Sequence, residues 1–235
     1  MFLDPRIASI APRLLTVVLI ALAFGALAFL YSFVGFFSNE VNNIRNFGVG
    51  SLSPQEIGGH FLFGYVVALP TRNLKMCVLT GLMALTIDAD HLLNAAGFDI
   101  QSRMGHSVSF AILSSVLIGF IVSQIFQKVS VWNEKMPTES SSSRIEKKAV
   151  ETKSKLLLLP PEKMGIFSLF LILTFAAFIS HIAYDVFVDA GASFPLLAPI
   201  IFSDFVIPQI YALPIEGAAV LLVYLSFTTL SKRST

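Results

Sequence analysis

Apolar residues in this chain fall into long blocks, and the polar residues between them mark where each block ends. Residues 14–37 are nearly all apolar, and about 20 such residues suffice to cross a bilayer as a helix. Residues 38–55 are polar, and Ser53-x-x-Glu56 fits a capping box that opens a short second helix over about 57–70, closed by Pro70. A third helix is predicted over about 74–92, a fourth over 106–126, a fifth over 164–188 and a last one over 210–230. Between the last two, residues 191–208 are apolar but broken by Pro195, Pro199 and Pro208. Proline in a helix interior removes a hydrogen bond, so this stretch reads as a re-entrant or interfacial segment, a geometry tolerated where backbone lines a cavity.

The pattern predicts an all-α, polytopic membrane protein with about six transmembrane helices. Its parts are an N-terminal transmembrane helix within 1–37, a helical membrane domain over 57–126 and 164–230, and a linker over 127–163. The linker carries Lys128, Lys135, Arg144, Lys147 and Lys148 with glutamates and a serine run from Ser140 to Ser143. That composition favours a flexible, solvated segment. The first apolar block is longer than the 7–15 residues of a signal-peptide core and has no clear Ala-x-Ala site after it, so a retained helix is expected.

Composition agrees. The chain of 235 residues is 55% hydrophobic and 13% charged, with a mean hydropathy of +0.77; soluble domains are about 45–50% apolar and about 25% charged. A net charge of +1 offers no basic surface for nucleic acid. The single cysteine, Cys77, excludes an intrachain disulfide or a thiolate cluster and reads as a small buried hydrophobe.

Cytoplasmic loops are enriched in Lys and Arg. With the N-terminus inside and six crossings, only Arg45 and Arg103 of the 16 Lys and Arg residues fall outside. Both termini are then cytoplasmic. The same assignment sends His60, Asp88, Asp90, His91, His106, His181, Asp185 and Glu216 to the outer membrane level. Lys and Arg alone set the topology, so the convergence of all four histidines is independent of it.

Ionisable groups at membrane depth face a partner, a cavity or an ion. Asp88 and His91 are three apart, and His181 and Asp185 four apart, so each pair shares a helix face. Histidine and carboxylate donors without thiolate suit zinc, manganese or another divalent ion. The expected ligands are His60, Asp88, Asp90, His91, His106, His181 and Asp185, enough for one or two ions. Such a site acidifies water and polarises a carbonyl or phosphoryl oxygen. Asp90 or Glu216 is the expected general base, and Arg103 a clamp for an anionic substrate.

At these residues the sequence resembles the YdjM-like inner-membrane proteins, a family described as predicted membrane-bound metal-dependent hydrolases. The shared pattern is Gly59-His60, Asp88-Ala-Asp90-His91, Gly105-His106-Ser107, Ser180-His181-Ile-Ala-Tyr-Asp185, Gly191, and Pro195-Leu-Leu-Ala-Pro199. It covers about residues 57–204. Ile87 stands where the family often has proline, Gln101-Ser102-Arg103 where it often has His-Arg, and Val188 where it has threonine. The resemblance implies hydrolase chemistry and fixes no substrate.

The sequence thus leads to an expected multi-pass cell-membrane enzyme, a metal-dependent hydrolase acting on an ester or phosphoester of a lipid or amphiphile at the outer face. Two alternatives use the same groups: an ion- or proton-coupled transporter, which would ordinarily show an internal repeat that this chain lacks, and a non-catalytic scaffold with a structural metal.

Overall fold

The structure is a computed structural model that describes residues 5–36, 53–92, 103–135, 165–189, 192–201 and 203–232. The polar loop after the first helix, Gln101 and most of the linker lie outside the described residues. The described chain holds six α-helices: α1 (Pro5–Phe36), α2 (Pro54–Val67), α3 (Leu74–Thr86), α4 (Val108–Lys135), α5 (Ile166–Val188) and α6 (Ala212–Lys232). Two short strands, β1 (Ala192–Phe194) and β2 (Phe205–Ile207), lie between α5 and α6.

Local chemistry sets these ends. Ser53 caps α2, its side chain accepting from the Glu56 amide at 3.2 Å, with Pro54 in the first turn, as the capping signal predicted. After Val67 the chain tightens into a 3-10 turn over Leu69–Thr71, and Arg72 adopts a left-handed φ of 51°. Asn73 then caps α3 by accepting from the Lys75 amide at 3.0 Å. At the far end α3 gives way to a second 3-10 turn over Ile87–Asp90. Ser107 starts α4, accepting from the Phe110 amide at 3.2 Å and donating to the Met104 carbonyl at 2.7 Å. That helix continues to Lys135, into the stretch expected to be a linker.

Four of the six helices are long and apolar enough to cross a membrane: Leu14–Phe33, Val108–Ile125, Phe167–Val188 and Gln209–Thr228. This identifies a helical membrane protein. The expectation of six crossing helices is not reproduced, because α2 and α3 have 14 and 13 residues. At 1.5 Å rise each reaches only about 20 Å, short of the roughly 30 Å hydrocarbon core. Pro70 shortens the first of them, and the 3-10 turn at Ile87 shortens the second.

The two short helices form a hairpin packed through glycines. A Cβ on Gly64 would lie 2.6 Å from the Ala84 Cβ, and one on Gly81 would lie 2.8 Å from the Phe61 carbonyl. Small residues let helix backbones approach this closely. α5 is the central element, with 67% of its apolar window buried against 22% for those of α1 and α6. α1 joins α3 where Thr86 Oγ1 donates to the Ala21 carbonyl at 3.0 Å. It also reaches the segment before α4, where Ser32 Oγ accepts from the Gly105 amide at 2.9 Å.

The irregular stretch after α5 is a small antiparallel hairpin. β1 pairs β2 in the register Ala192–Ile207, Ser193–Val206 and Phe194–Phe205. Its loop lies over the start of α4, where Leu196 accepts from the Val108 amide at 2.9 Å and Ala198 accepts from the Ser109 hydroxyl. The prolines that broke the helical pattern also explain why this chain turns instead of spanning.

Candidate metal centre

Four segments converge at one end of α5. His60 comes from α2, Asp88 and His91 from the 3-10 turn after α3, His106 from the turn before α4, and His181 and Asp185 from α5. All four histidines are buried, at 2%, 7%, 0% and 0% exposure in chain order. Burying this many ionisable groups is costly unless each has a partner or an ion.

Their positions are fixed from outside the centre. Tyr184 donates its hydroxyl to the Gln55 carbonyl at 3.1 Å and sets its ring edge-on to His60, centroids 4.5 Å apart. Gly59 makes room for that ring, because a Cβ there would collide with it. His60 in turn stacks on His181 at 4.1 Å. Phe194 of β1, itself buried, stacks on His106 at 6.0 Å.

Hydrogen-bond chemistry settles which nitrogens face inward. His181 Nδ1 lies 2.8 Å from the Ala84 carbonyl oxygen. A carbonyl only accepts, so Nδ1 carries the proton and Nε2 presents a lone pair to the cluster. Arg103 Nη2 lies 2.5 Å from Asp88 Oδ1 and 2.9 Å from His91 Nε2. A guanidinium only donates, so His91 Nε2 is the acceptor there.

The donor spacing matches a metal site. Ligands bound at about 2.0–2.2 Å in a tetrahedron stand roughly 3.3–3.6 Å apart. His60 Nε2 is 3.2 Å from Asp88 Oδ2 and 3.2 Å from Asp185 Oδ1. His181 Nε2 is 3.6 Å from Asp88 Oδ1 and 3.4 Å from Asp185 Oδ2, while His106 Nε2 stands 3.6 and 3.7 Å from the same two oxygens. The shorter His106–His181 contact, 2.8 Å between Nε2 atoms, has the length of an N–H···N bond that a shared cation would replace. Asp185 Oδ2 is buried with no hydrogen-bond partner among the described residues. A buried carboxylate oxygen in that state, with imidazole nitrogens 3.4 and 3.7 Å away, fits a ligand to a cation. Two overlapping donor groups result, His60/Asp88/His181 and His106/His181/Asp185. They share His181, so the cluster can take one ion over that residue or two ions beside it.

The predicted residues divide as follows. His60, Asp88, His106, His181 and Asp185 come together. His91 reaches Asp88 at 3.3 Å but gives its Nε2 to Arg103. Arg103, expected as an anion clamp, stands against Asp88. The Asp90 side chain lies outside the described residues. Glu216 is buried in α6 beside Ser180 and does not join the histidine cluster, so the structure offers it no direct part in this centre. Glu56 was missed as a site residue: its Oε2 lies 3.9 Å from His60 Nε2. The four-residue spacing between Glu56 and His60 was the signal that could have found it. Tyr184 was missed as well, since an aromatic between His181 and Asp185 looks like ordinary packing.

No family model, curated protein or solved structure matches the chain. Fold and geometry therefore define the class by themselves: a helical membrane protein with a buried His/Asp cluster that can hold a metal ion.

Proposed function

We propose that this chain is a membrane-embedded, metal-dependent hydrolase that cleaves an ester or phosphoester of a lipid or other amphiphile. The observation that supports it is the meeting of three histidines and two aspartates from four chain segments, at metal-ligand spacing, within a bundle of apolar helices. The motif order shared with the YdjM-like family points the same way.

A divalent ion, zinc or manganese by the donor set, supplies Lewis acidity when bound. His60, Asp88, His106, His181 and Asp185 would hold it. The chain's own groups do the rest. Arg103, held between Asp88 and His91, would lend positive charge toward an anionic substrate, and Glu56, 26% exposed at the edge of the centre, can take a proton from water. In the overall reaction water oxygen bonds to the phosphorus or acyl carbon, the bond to the leaving oxygen breaks, and the proton ends on the released alcohol.

The Lys and Arg distribution supports cytoplasmic termini with the centre toward the outer face. Because α2 and α3 form a hairpin, the sidedness of the other four helices is the same whether that hairpin crosses or turns back. The reading is tested by metal content of detergent-purified protein beside His181→Ala/Asp185→Ala. One or two equivalents of zinc or manganese, lost in the variant together with hydrolysis of lipid phosphoesters, is the expected result. A wild-type protein that binds neither ion after reconstitution would overturn it.

A further inference from the structure

A groove of about 420 Å³ runs between α1 and α2 and ends at His60 and Asp88. Its walls are apolar: Leu22, Ala26 and Phe29 from α1, Ile57 from α2, and Leu85 and Leu92 from α3 and the turn beyond it. Glu56 stands on its lining, so the carboxylates and His60 are the ionisable groups it meets. The volume lies within the range of small-molecule sites, about 300–1,000 Å³.

The direction of the groove matters more than its size. Leu22 and Leu92 are each 57% exposed, and Leu22 belongs to the membrane-crossing window of α1. The groove therefore has an exposed apolar wall within a membrane-crossing window, where lipid chains would meet it. A water-soluble substrate would need polar walls and an opening along the helix axes. Apolar walls that lead from lipid depth to a carboxylate–histidine cluster match a molecule with a hydrocarbon chain at one end and a metal-seeking head at the other.

We propose that this groove holds the hydrocarbon chain of the substrate, an amphiphile that enters from the bilayer and brings its ester or phosphoester head to His60 and Asp88. The identity of the head rests on the hydrolase reading; the seat of the chain does not.

The test uses full-length protein in nanodiscs with a long-chain alkyl phosphate that carries a diazirine on its chain. After irradiation, labelled peptides are mapped by mass spectrometry, and zinc and manganese content is measured on the same samples. Label is expected to concentrate on the 22–29 and 85–92 segments, to be displaced by unlabelled long-chain but not short-chain alkyl phosphate, and to fall several-fold in Ala26→Trp. Leu19→Trp, an exposed position on α1 outside the groove lining, should leave it unchanged. Label spread evenly over the lipid-facing side of α4, as for bulk lipid, would overturn the proposal, as would groove labelling that short-chain phosphate displaces equally. If Ala26→Trp fails to fold, the wild-type map and the chain-length competition still decide. Groove labelling in a protein that takes neither zinc nor manganese would leave this proposal standing and remove the hydrolase reading; either metal without groove labelling would do the reverse.

Discussion

His181 and Ala84 are joined by a bond between a side-chain nitrogen and a backbone oxygen, 2.8 Å long, and that bond orients the whole centre. It fixes the proton on Nδ1 and turns the Nε2 lone pair toward His106 and the cluster, where either a proton or a metal can take it. Acid and metal therefore compete for one nitrogen. The competition gives a signed prediction. Ligand histidines must be neutral and ligand carboxylates ionised, so metal affinity should weaken as the solution is acidified. Zinc affinity measured by chelator competition over a series of falling pH should show the loss, and His181→Ala should both weaken binding and flatten the slope. Affinity independent of pH would contradict ligation by these groups.

Arg103 makes a different prediction because it is a cation beside a cation site. Its guanidinium holds Asp88 Oδ1 at 2.5 Å. Replacing it with Ala leaves a buried carboxylate without that partner, and breaking such a pair costs about 3–5 kcal/mol when nothing else compensates. Metal-free Arg103→Ala should thus unfold at lower temperature than metal-free wild type. Bound metal supplies the missing positive charge, so the two proteins should differ less when loaded, and zinc affinity should rise in the variant. Hydrolysis of anionic substrates should fall, with neutral esters less affected. Thermal unfolding with and without zinc, beside chelator titration, checks all of this. A variant destabilised equally in both states would show that Arg103 matters only for packing.

Tyr184 is a positioning residue and can be tested as one. Tyr184→Phe keeps the ring against His60 and removes only the bond to the Gln55 carbonyl. The expected loss is about 1 kcal/mol of stability with metal still bound. Gly59→Ala acts on the same contact from the other side. Its new methyl collides with the ring, so the ring and His60 must both move. Overpacking of this kind costs about 1–3 kcal/mol, and zinc affinity should fall with it. If Gly59→Ala binds zinc as wild type does, the ring does not hold His60 in place.

Much of this centre was legible in the chain because its chemistry is local. The His181/Asp185 spacing places both side chains on one face of a helix, and Asp88/His91 share one turn. Alternation of apolar blocks with Lys and Arg brought four distant segments to one level without any knowledge of packing. The parts that were not legible depend on contacts between elements. Pro70 marked the second helix as short, but hydropathy could not show that α3 ends at Thr86, because the 3-10 turn at Ile87 depends on how the hairpin seats against α1 and α5. Nothing in the sequence says that Arg103 meets Asp88 and His91, since a loop cation reads the same wherever it lands. The small β hairpin was hidden among prolines, and its strands are three residues each, too short for alternation to show.

The hairpin's own packing ties fold to centre, and two neighbouring glycines separate the effects. Gly64 of α2 sits against Ala84 of α3, where a Cβ would come within 2.6 Å of the Ala84 Cβ. Ala84 is also the residue whose carbonyl holds His181. Gly64→Ala must push α3 away, so it should both destabilise the fold by about 1–3 kcal/mol and weaken metal binding through His181. Gly58, also in α2, has nothing within 4 Å of its hypothetical Cβ. Gly58→Ala only removes backbone freedom, so it should stabilise the helix by about 0.5–1 kcal/mol and leave zinc affinity alone. Thermal unfolding and zinc titration on the pair give the answer. Loss of stability without loss of affinity in Gly64→Ala would mean that His181 keeps its orientation when α3 shifts, and that the Ala84 carbonyl is not what holds it.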